Sequence, residues 1–282
     1  MDAESDKPIS PARVDPRGTR ANLQPERRAT PIVRKVPEPT PSFWLTKVAT
    51  TAMGEATSDY LVHRFDPVIA VAFGAVALAI ALAMQFWVRR YIPWIYWLAA
   101  AMVAVFGTMA ADVLHVRFGV PYAVSTAMFA VVLAAVFLVW HSVEKTLSIH
   151  SIYTYRREVF YWLVIGATFA LGTAAGDLTA TTLHLGYFFS GVMFVGVIAI
   201  PALGYRFFGL NSILAFWFAY VVTRPIGASF ADWLDKSHRL GGLAWGSGPV
   251  SVGSAIVIII LVIYITVTRR GMVSAQVALQ PE

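Results

Sequence analysis

Four aspartates stand at the same place in four copies of one pattern: an aromatic residue and a Trp, nine residues, a Gly, three residues, a small residue and Asp. The copies are Phe43-Trp44 with Gly54, Ser58 and Asp59; Tyr96-Trp97 with Gly107, Ala111 and Asp112; Tyr161-Trp162 with Gly172, Gly176 and Asp177; and Phe216-Trp217 with Gly227, Ala231 and Asp232. A carboxylate at the centre of a membrane helix costs roughly 2.5–3.5 kcal/mol, so four of them call for cations, protons or water. One turn before each aspartate stands Glu55, Thr108, Thr173 or Ala228, which adds a polar stripe in three copies. Glu55, Asp59, Asp112, Asp177 and Asp232 make five acids against two bases, Lys47 and Arg224, the expected charge partners. The negative surplus points to a small cation, divalent or proton-coupled, as the guest.

Histidines gather after the same aspartates. His63 and His115 follow within one turn, and His184 and His238 lie seven and six residues beyond theirs. Carboxylate with neutral imidazole can hold Mn, Zn or Fe, which makes His63, His115 and His184 accessory ligand candidates. The competing reading for any single histidine is an interfacial helix end, and the competing reading for the acids is a structural network neutralised by Lys47 and Arg224. Bis-histidine haem has no supporting signature. The chain has no cysteine, which removes disulfides, thiolate metal sites and covalent c-type haem. No Gly-rich phosphate loop follows a strand and no hydrolase triad has its spacing, so no enzyme activity and no cofactor are expected.

The elements that position these residues are read from composition. A 282-residue chain that is 57% hydrophobic and 13% charged, with a mean hydropathy of +0.64, is too apolar for an ordinary soluble domain and partners with the lipid bilayer. Apolar stretches of about 20 residues, long enough to span, run approximately 43–63, 67–88, 94–115, 120–140, 158–183, 187–205, 211–234 and 249–268. The expected fold is an all-α integral membrane protein of eight transmembrane helices arranged as four parallel two-helix repeats, at about 41–92, 93–155, 156–209 and 210–270. Residues 1–40, with eight of the 22 Lys and Arg and seven of the 15 Pro, read as a disordered cytoplasmic tail, and 271–282 as a C-terminal one. The +6 formal charge sits in tail and loops, where membrane orientation accounts for it without nucleic acid.

Orientation follows from loop cations. Sixteen fall on the tail side and four, Arg64, Arg117, Lys236 and Arg239, on the other, which puts both termini in the cytoplasm. Each motif helix then runs outward, with its Trp in the cytoplasmic aromatic belt and its Asp about 22 Å further along at helical rise. The Gly and the small residue share a helix face, an arrangement that allows close approach in lipid. Gly54, Gly107, Gly172, Gly176 and Gly227 are therefore helix-packing residues, and the motif helices form an inner ring.

The segments Lys47 to Asp59, Gly107-Thr108 to Asp112, Gly172-Thr173 to Asp177 and Thr223-Arg224-Pro225-Ile226-Gly227-Ala228 to Asp232 resemble the signature of a bacterial repeat family of uncharacterised, predicted membrane-anchored proteins. The likeness covers about residues 36–268, beginning with Lys35-Val36-Pro37-Glu38. It implies a multi-pass protein of the bacterial inner membrane and assigns no activity. The functional expectation therefore rests on the residues: a transporter or pore for a small cation, with a structural or regulatory membrane protein as the alternative.

Overall fold

The computed structural model describes residues 34–268. The expected tails at 1–33 and 271–282 lie outside the described residues. The chain is all-α, and eight long helices follow one another among the described residues: α1 Pro41–Arg64, α2 Pro67–Trp87, α3 Pro93–Asp112, α4 Tyr122–Glu144, α5 Tyr155–Asp177, α6 Gly186–Phe207, α7 Ser212–Asp235 and α8 Ser247–Thr268. Helix starts carry the local chemistry that sets them. Pro41, Pro67 and Pro93 sit in first turns, where a missing N–H costs nothing. The side chains of Thr40, Asp66 and Asn211 accept from first-turn amides of α1, α2 and α7.

Seven of these helices are long and apolar enough to cross a membrane; α1 is the exception. Lys47, Glu55 and Asp59 lower its apolarity, but all three are buried, because α3, α7 and α8 pack around the helix. The fold is that of a multi-pass membrane protein in composition and length.

The odd-numbered helices form the inner ring. Contacts run α1 to α3, α3 to α5, α5 to α7 and α7 back to α1. The even-numbered helices lie outside it, with 17% of the most apolar stretch of each buried, against 50–61% for α3, α5 and α7. Each even helix covers the odd helix of the following repeat: α2 lies on α3, α4 on α5, α6 on α7, and α8 returns to α1. The two helices of one repeat touch little, and the repeats interlock instead.

One expectation changes. Residues 34–40 do not behave as a tail: Val36 lies in the main apolar core, and the Lys35 amide donates to Ile152 O at 3.2 Å. Lys35 pairs with the fully buried Glu158, whose other oxygen accepts from Gln85 Nε2 at 2.8 Å. The motif tryptophans, expected as an aromatic belt, pack among the ring helices. Trp97, Trp162 and Trp217 are buried, because each packs inward on the aromatic residue of the previous repeat, Phe43, Tyr96 and Tyr161, at 5.6, 5.6 and 6.1 Å. Trp44 closes the circle on Phe216 at 5.7 Å. Offset and edge contacts of this kind add about 0.5–1.5 kcal/mol each beyond burial.

Candidate functional site

Above the aromatic layer the ring helices meet through their glycines. The residue three before each motif Gly, Thr51, Ala104, Phe169 or Arg224, lies over the Gly of the neighbouring ring helix. A Cβ on Gly54 would collide with Ala104, one on Gly107 would come within 2.7 Å of the Phe169 Cβ, one on Gly172 would collide with Arg224, and one on Gly227 with Thr51. The same offset recurs at all four interfaces. Gly176 is looser than expected, since an added Cβ would meet only Ser229 Oγ, at 3.7 Å.

The next residues along, Glu55, Thr108 and Thr173, converge on a single guanidinium. Arg224 is fully buried, and its Nη2 donates to Glu55 Oε2 at 2.6 Å, to Thr173 Oγ1 at 2.6 Å and to Thr108 Oγ1. Thr108 and Thr173 turn their own hydroxyl hydrogens to the backbone carbonyls of Ala104 and Phe169, at 3.0 and 3.1 Å, leaving oxygen lone pairs for the arginine. The fourth position of this layer is Ala228, one turn beyond Arg224 on the same helix. Arg224 thus reaches one residue on each of the other three ring helices and closes the axis.

Lys47 does not act as a charge partner. Its Nζ is buried with no hydrogen bond among the described residues and sits 3.9 Å from the centroid of Tyr220 and 5.6 Å from that of Phe169. The stripe of Lys47, Thr51, Glu55 and Asp59 is long enough that its first member falls at the aromatic layer, two turns short of the acids. A desolvated cation–π contact is worth about 2 kcal/mol or more, which offsets part of the burial cost.

The base that meets the acids is Lys236, counted in the sequence as a loop cation. It directly follows α7, bonds Asp59 of α1, and lies 3.4 Å from Asp232 and 4.0 Å from Asp235. Burial pulls its amine downward, but Asp232 and Asp59 outweigh that and hold it well above the ordinary lysine value. The available signal was its spacing, one turn after Asp232. Carboxylate oxygens of Asp59, Asp232 and Asp235 lie within 4.8 Å of one another, the spacing of a cation shell. Asp112 and Asp177 are within electrostatic reach of this group but make no ion pair among the described residues. Each is followed at once by a π turn, Val113–Arg117 and Leu178–Thr182, which the sequence did not announce.

The histidines stand apart from the carboxylates. His63 and His184 are exposed, and His63 Nδ1 meets the backbone oxygen of Asp59 at 2.6 Å. Both nitrogens of His115 are engaged, with Val120 O at 2.8 Å and Ser125 Oγ at 3.3 Å, and its ring stacks 4.0 Å from Tyr122. None of the three joins the 4.8 Å acid group. Their proximity in sequence placed them near helix ends, where turns and solvent claim them.

The family described as Repeat of Unknown Function (DUF347) matches the chain four times, at residues 42–91, 95–146, 160–209 and 215–271. No curated protein and no solved structure matches it.

Proposed function

We propose, from the premise that this chain belongs to the family of the Repeat of Unknown Function (DUF347), that it is a membrane transporter for a small cation that enters at the carboxylate end of the ring. The reading includes eight crossings as four parallel two-helix repeats in a bacterial inner membrane, both termini cytoplasmic, and no enzymatic step. Equivalent contacts at the aromatic and glycine levels of all four ring interfaces support the parallel arrangement.

The observation that carries the transport reading is the Lys236 ammonium among Asp59, Asp232 and Asp235. A tethered cation sits where a free one would bind. Its side chain is 24% exposed, so it has a route to solvent when a guest replaces it. The donor set is all carboxylate, without the imidazoles, and suits hard cations such as Mg, Ca or Mn better than zinc. Asp112 and Asp177 extend the acidic surface around the ring. The closed Arg224–Glu55 layer beyond favours a transporter that alternates between states over an open pore.

The same closed layer favours one alternative, a scaffold whose charges only hold helices together. Reconstitution of the full chain into liposomes separates the two. A dye-based uptake panel of proton, Na, K, Mg, Ca and Mn should show flux of at least one of them, lost in Asp59→Asn and Asp232→Asn while both variants remain folded. Wild-type protein that moves none of these cations would establish the scaffold reading instead.

A further inference from the structure

Two buried cations in the ring carry hydrogen-bond donors that meet no acceptor among the described residues. Lys47 is 3% exposed, and its Nζ has no hydrogen-bond partner. Arg224 is fully buried; its Nη2 serves Glu55, Thr108 and Thr173, while its Nε and Nη1 are left without partners. Both groups border the Phe169 ring, with Lys47 Nζ 5.6 Å and Arg224 Cζ 5.3 Å from its centroid. Lys47 also lies over Tyr220, which stands one helical turn before Arg224 on α7. Phe169 of α5 thus lies beside both cations, which come from α1 and α7.

We propose that Lys47 and Arg224 form an intramembrane site for a small monovalent inorganic anion of halide size. Charge sets the valence. With Lys47 protonated, this layer holds two positive charges against the one negative charge of Glu55, and one positive charge is left to be matched. The acids cannot supply the match. Glu55 is bound on the Nη2 side, and Lys236 holds Asp59 and Asp232 at the far end of the ring. Beside the cations lie the faces of the Phe169 and Tyr220 rings, whose carbon surface gives the additional oxygens of a larger oxyanion nothing to bond. A buried donor left without an acceptor is unfavourable, and a halide can serve several donors at once.

This site stands independently of the carboxylate ring, since an anion can be held here whether or not a cation is transported. The test uses the full chain in detergent with gluconate as the only other anion. Equilibrium binding of radioactive chloride should saturate at about one per chain and be displaced by bromide. Replacing gluconate by chloride at fixed ionic strength should raise the unfolding temperature, as any ligand selective for the folded state does. Lys47→Met, which preserves length and apolar packing, should weaken chloride binding by roughly tenfold or more, about 1.4 kcal/mol. Absence of saturable chloride binding by wild-type protein overturns the proposal, whatever the behaviour of the variant. Binding of equal affinity in folded Lys47→Met overturns it as well.

Discussion

Lys236 bonds the carboxylate of Asp59 from the opposite end of the sequence, joining α7, the last helix of the inner ring, to α1, the first. Asp232, one turn before Lys236, lies 3.4 Å from the same ammonium. The base is thus both the clasp of the ring and the occupant of its acidic end.

The stability of that clasp depends on pH with a definite sign. The folded-state amine is held above its ordinary value by Asp232 and Asp59 against the effect of burial. Its contribution is fully present below the unfolded value of about 10.4 and is lost as pH rises through the folded one. Thermal unfolding of wild-type protein should therefore fall off more steeply above about pH 10.4 than that of Lys236→Met. At neutral pH the variant should be less stable by about 2–3 kcal/mol, since a partly buried acid group loses its counter-charge, and added Ca or Mn should restore part of the loss. Indistinguishable alkaline limbs would mean that the pair contributes nothing to folding.

Arg224 and Glu55 should behave as a coupled pair. Arg224→Met leaves Glu55 buried and unopposed, and Glu55→Gln leaves the guanidinium charge with neutral acceptors only. Each single change should cost about 3–5 kcal/mol, with the double variant more stable than Arg224→Met. A double-mutant cycle by detergent unfolding measures this directly. Additive losses would show that the 2.6 Å contact carries no coupling.

The glycines should separate by the space around them. Gly172→Ala and Gly227→Ala force a Cβ into Arg224 and Thr51, and overpacking of this kind costs about 1–3 kcal/mol. Gly176→Ala meets only an ordinary contact at 3.7 Å and should be near neutral. Melting temperatures of the three purified variants test the ranking, which would fail if Gly176→Ala were the worst.

The fourfold pattern made the inner helices and their close faces legible, because a Gly with a small residue four positions on has one structural use in lipid. Which outer helix covers which inner one was not legible, since apolar residues on α2, α4, α6 and α8 look alike whether they face lipid or a neighbour. Nor was the partner of Lys47, because charge balance counts bases without locating them along a helix, and this one falls at the aromatic layer. Lys236 was hidden by the opposite error, placed in a loop by the end of the apolar run although it sits one turn beyond Asp232. Histidine spacing gave proximity to the acids without direction, and direction decided where His63, His115 and His184 went.

The offset by which each outer helix covers the next repeat also dictates when the molecule can be finished. During synthesis α3, α5 and α7 each emerge just after the helix that will shield them, whereas α1, which carries Lys47, Glu55 and Asp59, must wait for α8. Until the last helix arrives, α1 has no outer helix against it, so a chain stopped before α8 would leave one flank of α1 uncovered.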